Sequence, residues 1–307
     1  MICLIMRLFL ILILLTSCSI AQNTTTSTRL EATKQNKTRT NISLKGWDYF
    51  YKLLIENGVD STTAINTILD ERMLEYKTVY FKLKPKESKS LYRKHNSLKN
   101  RKNALEFYNK HRSTFIDASN KFNVNPEVIL SILQVETSCG GFTGRSNVFY
   151  RLARVSSLAQ PKVIVENLKK IKKNQDPNAH YRDVLARAKW LESSFLPHAI
   201  ATIKLAKTLN KHPLDIKGSH AGAVGFFQFL PGNVFKFGID ADNDGLVDPH
   251  NPVDAIHSIA NYLLEHGWDN NKPLLSKVNR ETIWGYNRSE SYIDTVLAMA
   301  KKLKQEI

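Results

Sequence analysis

Residues 125–141 constrain this chain more than any other stretch. Asn125 can cap a helix, Pro126 suits the first helical position, Glu127 fits the first turn, and Gly140 with Gly141 supplies a stop. Between them Ile129, Ile132 and Leu133 fall on one helical face, and Glu136 continues that stripe. A carboxyl group placed there loses water, and desolvation raises its pKa toward neutrality. Such a group holds a proton at working pH and can deliver it to a leaving oxygen. The same spacing also fits a Glu at the edge of the stripe that reaches solvent or pairs with an Arg. Spacing alone does not separate the two.

The rest of the chain reads helical as well. Gly46 to Asn57 carries Trp47, Phe50, Tyr51, Leu53 and Leu54 in a stripe stopped by Gly58, and Asp60 or Ser61 caps a second helix to about Arg72. Val79 to Leu91, interrupted by Pro85, is expected to be extended or loop. A helix from about Asn103 to Phe122 leads into the Glu136 helix. Ala188 to Leu209 reads as a helix that Pro197 should kink or divide, and Asp254 to His266 and Ser289 to Lys304 complete the set. No alternation of β-branched residues is long enough to demand a sheet, and there is no internal repeat. The predicted class is mainly α.

The N-terminus reads as a processing signal. Arg7 precedes an apolar run from Leu8 to Leu15 that is too short to span a bilayer as a mature helix. Leu15-Thr16-Ser17-Cys18 looks like a bacterial lipobox, which would make Cys18 the lipidated first residue, with Ser19 suiting outer-membrane sorting. An ordinary cleaved signal with an accidental cysteine is the alternative. Residues 19–43 are rich in Thr, Asn, Ser and Lys and are expected to be a flexible tether. The folded region is then 44–304, with a helical part at 44–122 and the core at 123–304. Cys3 and Cys18 belong to the leader, so Cys139 has no disulfide partner. A formal charge of +16 suits an anionic partner such as cell-wall polymer or a membrane surface, and the export signal disfavours nucleic acid.

Three stretches carry chemistry. In 240–248, Asp240, Asp242, Asp244 and Asp248 alternate around Gly245, which allows the sharp turn that gathers oxygens about one hard cation. Leu246 would offer its backbone carbonyl. Asn251 stands where an EF-hand needs a bidentate Glu, and Asp254 can close the shell three residues later. A calcium ion relieves the repulsion of such a cluster, and a solvated acidic turn is the alternative. In 218–231, Ser219 and Gln228 could hydrogen-bond a sugar or amide among Phe226, Phe227 and Phe229, and a tight helix–helix contact fits the same composition. Tyr286 and Asn287 offer a stacking face beside an amide, while Ser289 reads as an N-cap. A thiol enzyme built on Cys139 would need a positioned His, which no spacing indicates.

In order, Val135-Glu136-Thr137 with Gly140, Gly218 to Ala223, Gln228 to Pro231, the Asp240 loop, Asp254 to Tyr262, His266-Gly267-Trp268 and Tyr286-Asn287 resemble the membrane-bound lytic murein transglycosylase B family. The likeness runs over about 44–304. It implies a lysozyme-like helical core with an EF-hand-like calcium loop and N-terminal helices packed on it. It also implies cleavage of the β-1,4 bond between N-acetylmuramic acid and N-acetylglucosamine, with formation of a 1,6-anhydro product. By the same resemblance Glu136 is the general acid and then the base, and Ser219, Gln228, Tyr262, Tyr286 and Asn287 line the glycan groove. Arg187 corresponds to a basic position near the peptide stem. The calcium ligands are Asp240, Asp242, Asp244, Leu246, Asp248 and Asp254. A monomer acting on peptidoglycan strands, tethered to a membrane through Cys18, is expected. The chain departs from the family at Cys139, where an aromatic is usual, and in the short connection from Trp268 to Tyr286. A hydrolytic muramidase and a non-catalytic peptidoglycan-binding lipoprotein are the alternatives.

Overall fold

The computed structural model describes residues 43–85, 92 and 95–307; the leader, Cys18 and almost all of the tether lie outside them. Its centre is a helix with no exposed face. In chain order the helices are α1 (Asp48–Glu56), α2 (Ser61–Leu69), α3 (Leu98–Lys110), α4 (Arg112–Phe122) and the central α5 (Pro126–Thr137). Then come α6 (Val148–Val155), α7 (Pro161–Asn174), α8 (Tyr181–Thr208), α9 (Pro231–Phe237), α10 (Pro252–Glu265), α11 (Lys277–Tyr286) and α12 (Glu290–Leu303). A two-residue antiparallel ladder, β1 (Ser146–Asn147) with β2 (Lys217–Gly218), pairs Ser146 with Gly218. None of the described helices is long and apolar enough to cross a membrane.

Helix α5 is packed by α3, α4, α10 and α12, and all its residues except Pro126 and Glu136 are buried. Burial therefore runs round nearly the whole circumference and not along one stripe, and it takes in a polar row of Glu127, Ser131 and Gln134. The Ser131 hydroxyl donates to the Glu127 carbonyl at 2.7 Å, and Gln134 Oε1 accepts from Asn103 Nδ2 of α3 at 2.8 Å, while Gln134 Nε2 is buried without a partner among the described residues. Pro126 opens the helix as expected, whereas the Asn125 side chain makes no capping hydrogen bond. The stop is also different from the expected one. Ser138 and Cys139 take left-handed backbone conformations, and the Cys139 N–H returns to the Leu133 carbonyl at 3.0 Å.

Three further expectations are corrected. The helix expected over 103–122 is two, broken at His111, which lets α4 turn Phe115, Ala118 and Phe122 into the core beside α10. The second helix ends at Leu69, before Arg72. Helix α8 is continuous over 28 residues, begins at Tyr181 and is not divided at Pro197. A proline inside a helix costs about 3 kcal/mol, and packing of α8 on α6, α7 and α9 offsets it. Helices α6, α7, α9 and α11 are additional to those read from the sequence. A smaller apolar cluster joins α7 and α8 to Val79, Phe81 and Leu83, part of a segment that is irregular over its described portion.

Candidate active site

Glu136 stands in the last turn of α5, where the polypeptide has to leave a fully buried helix. Its carboxyl lies deep in the protein, although the residue as a whole is only half-buried. The turn that follows is fixed from both sides. Thr137 Oγ1 accepts from the Gly140 N–H at 3.0 Å and donates to the Phe226 carbonyl at 3.2 Å. Gly140, at φ +86°, lets the Phe226 ring approach so closely that a Cβ would lie 1.9 Å from its edge. Asn103 Nδ2 holds the Ser138 carbonyl at 3.1 Å and Gln134 Oε1 at 2.8 Å. The buried Cys139 thiol donates to the same Gln134 oxygen at 3.3 Å, and burial raises its pKa. This cysteine is a packing residue and not a thiolate nucleophile.

Tyrosines supply the surroundings of the carboxyl. Tyr292 of α12 is 1% exposed, and its hydroxyl has no well-formed hydrogen bond although it interacts with Glu136. Tyr286, at the end of α11, lies nearly parallel to Tyr292 with ring centres 6.4 Å apart, and Tyr92 meets Tyr292 edge-on at 5.5 Å. The Tyr286 hydroxyl donates to the Phe227 carbonyl. In this enclosure burial pushes the Glu136 carboxyl up to about 7, with the Tyr292 hydroxyl pulling the other way. Burial, reinforced by the Glu136 charge, also raises Tyr286 and Tyr292 well above their ordinary value. The tyrosines therefore stay neutral, and one carboxyl carries the titration near neutrality.

Beside the enclosure is a cleft of 510 Å³. Tyr262, Tyr286, Asn287 and Arg288 form part of its lining, Gln228, Phe229 and Leu230 another part, and α8 contributes Trp190, Ser194 and His198. Tyr286 joins the two features, because it lines the cleft and interacts electrostatically with Glu136, which does not itself line the cleft. The local fold fixes these groups. Tyr262 stacks on His266 at 3.8 Å and meets Tyr286 edge-on at 4.9 Å. The Gln228 amide donates to the carbonyls of Gly225 at 2.8 Å and Thr143 at 3.2 Å. Asn287 Nδ2 donates to the Tyr92 hydroxyl at 3.3 Å. The Ser289 side chain caps α12 by accepting from the Tyr292 N–H.

Of the five groove residues named from the sequence, Gln228, Tyr262, Tyr286 and Asn287 line this cleft; Ser219, and Arg187 named for the peptide stem, are not among its lining residues. Ser219 Oγ accepts from the Ala223 N–H at 3.1 Å and holds a turn. Arg187 lies with its guanidinium carbon 4.5 Å from the Trp190 ring centre, outside the cleft lining. Tyr92, Tyr292 and the α8 face were not among the candidates. Tyr292 reads in the sequence as one more core aromatic of the last helix, and only its packing against α5 brings it to Glu136.

The Asp240 loop folds as a cage of its own. Carboxylate oxygens of Asp240, Asp242 and Asp244 lie within 4.8 Å of one another, and no Lys or Arg pairs with them among the described residues. Asp254, at the start of α10, is fully buried. Its two oxygens accept from the backbone N–H groups of Ala241 and Asp248, each at 2.9 Å. The Asp248 carboxylate accepts from the His250 N–H at 2.8 Å. Three converging hard oxygens without a compensating cation suit a calcium-sized ion.

Comparison with known proteins agrees with this architecture. A family model, the transglycosylase SLT domain, matches residues 44–282. Membrane-bound lytic murein transglycosylase B of Escherichia coli strain K12 is 30% identical over 169 residues, 55% of this chain and 39% of that protein, so the alignment spans less than half of the relative. The E. coli lytic transglycosylase Slt35 in complex with calcium superposes with a TM-score of 0.63 at 21% identity, covering 85% of this chain and 93% of that one. SltB3 of Pseudomonas aeruginosa in complex with NAG-NAM-pentapeptide gives 0.62 at 17% identity, over 86% and 80%. These two structures share the fold described here, and the family match extends over most of the folded region. The chain belongs to the transglycosylase SLT domain family.

Proposed function

We propose that this chain is a peptidoglycan lytic transglycosylase in which Glu136 is the sole catalytic carboxyl. The observation that carries the reading is a carboxyl with its pKa raised to about 7, enclosed by neutral tyrosines and joined through Tyr286 to a glycan-sized cleft. Protonated Glu136 donates to the glycosidic oxygen as the bond from C1 of the muramoyl sugar to that oxygen breaks. The resulting carboxylate then takes the proton of the C6 hydroxyl, whose oxygen closes on C1 to give the 1,6-anhydro ring. Glu136 ends protonated and no water is consumed. Two-carboxylate glycosidases place a second acid about 5–9.5 Å from the first. Burial and the Tyr292 hydroxyl act on the Glu136 carboxyl and no second carboxylate among the described residues does, which favours charge stabilisation by the substrate's own acetamido group.

Gln228, Tyr262, Tyr286 and Asn287 hold the strand in this reading, by stacking and amide hydrogen bonds. Asp240, Asp242 and Asp244 hold a structural calcium ion, supported by their convergence and by the calcium complex of Slt35. Anchoring at the periplasmic face of the outer membrane through Cys18 rests on the leader sequence and on the membrane-bound relative. The test of activity is digestion of purified sacculi followed by mass spectrometry of the released muropeptides. Products ending in the anhydro sugar are expected; products ending only in reducing sugar would identify a hydrolytic muramidase instead.

A further inference from the structure

Helix α8 presents to the cleft a face that belongs to none of the motifs read from the sequence. Trp190, Ser194 and His198 recur every four residues, so they share one side of the helix, and all three line the cleft. Trp190 is 48% exposed. Arg187, one turn earlier, lies against its ring and restrains the indole while leaving much of its surface open.

His198 is built in more tightly. Its Nδ1 accepts from the Gly232 N–H at 3.1 Å, and a Cβ on Gly232 would come within 2.6 Å of that nitrogen, so the approach requires glycine. A nitrogen that accepts a backbone hydrogen bond carries no proton, which places the ring proton on Nε2. Burial lowers the His198 pKa and keeps the ring neutral. The cleft is thus offered an indole surface, a hydroxyl and one N–H donor of fixed tautomer. This face adds no cation to the cleft, whose positive charge is Arg288 on another part of the lining, and an acyl chain would need no donors. A sugar ring has an apolar C–H face to stack and oxygens to accept, and so matches the set.

Building on the assignment of this cleft to glycan strands, we propose that the Trp190–Ser194–His198 face of α8 is a sugar subsite. It binds an N-acetylhexosamine unit of the strand, with Trp190 stacked on the ring and His198 Nε2–H donating to a hydroxyl or acetamido oxygen. The test is calorimetric binding of a peptide-free tetrasaccharide of alternating GlcNAc and MurNAc to the full chain carrying Glu136→Gln, which leaves the ligand intact. In that background Trp190→Ala is expected to weaken binding about tenfold and Trp190→Phe to recover most of it, with unchanged melting temperatures. His198→Ala is expected to weaken binding about fivefold. Equal affinity for Trp190→Ala and its parent would overturn the subsite while leaving the activity assignment standing. A loss confined to peptide-bearing fragments would overturn it in favour of stem-peptide binding. If the parent itself fails to bind the tetrasaccharide, both the subsite and the cleft assignment fall.

Discussion

Replacing Glu136 by Gln is expected to abolish turnover on peptidoglycan and at the same time to stabilise the folded chain at pH 8. The amide keeps the shape of the side chain and removes its transferable proton, so activity should fall by about a thousandfold or more. The stability effect follows from the raised pKa. In the folded protein the carboxyl titrates near 7 against an ordinary value of 4.5, so the folded state binds the extra proton. Below pH 4.5 both states are protonated and the wild type keeps its full stability. As pH rises, the unfolded chain ionises first, and this stability is lost until about pH 7, where the folded carboxyl ionises too. The shift corresponds to a ceiling of about 3 kcal/mol, which the incomplete burial of the residue lowers to roughly 1–2 kcal/mol. Glu136→Gln escapes this loss. Denaturant melts of the two proteins should therefore converge at pH 4 and separate at pH 8 in favour of Gln. Curves that stay parallel across that range would show that the carboxyl is not desolvated.

The second large effect is expected at Asp254. Its side chain is fully buried, and its two oxygens take up the N–H groups of Ala241 and Asp248, which close the two ends of the acidic loop. Alanine removes two charge-assisted hydrogen bonds and leaves backbone donors without partners, at a cost of about 3–5 kcal/mol. The loop should then also fail to gather Asp240, Asp242 and Asp244. For the wild type, calcium at a hundred times its dissociation constant adds about 2.7 kcal/mol and should raise the melting temperature. Asp254→Ala should melt lower and lose the calcium response. Asp242→Asn, at an exposed position, should keep its calcium-free melting temperature and still respond less. A wild type whose melting temperature ignores both calcium and chelator would remove the ion from the account.

How much of this was legible in the chain differs by element. The helices bounded by strong punctuation were, because a cap or a stop acts locally: Asp60 caps α2 with its own side chain, and Ser289 caps α12. Helix α9 was not, having only seven residues and so almost no period to read. The undivided α8 shows the opposite failure, where a correct local rule about Pro197 was overruled by packing. Glu136 was legible as an acid out of place, but its environment was not. Burial raises its pKa, and the tyrosines beside it, Tyr286 and Tyr292, come from α11 and α12, more than a hundred positions away, where a sequence window cannot bring them to α5. For the same reason the sequence did not show that the Ser219 oxygen accepts from the Ala223 N–H in a turn. The α8 face was illegible because a Trp, a Ser and a His on one side of a helix look like ordinary surface until a cleft opens beside them.

The proposed catalysis depends on the proton that Glu136 keeps near neutrality. Carbon-13 labelling of glutamate carboxyls allows that proton to be followed directly, with the Glu136 resonance assigned by its absence from the Glu136→Gln protein. The titration midpoint should lie at about 7. A midpoint at the ordinary 4.5 would contradict the claim, because a carboxyl ionised throughout the working range has no proton to give.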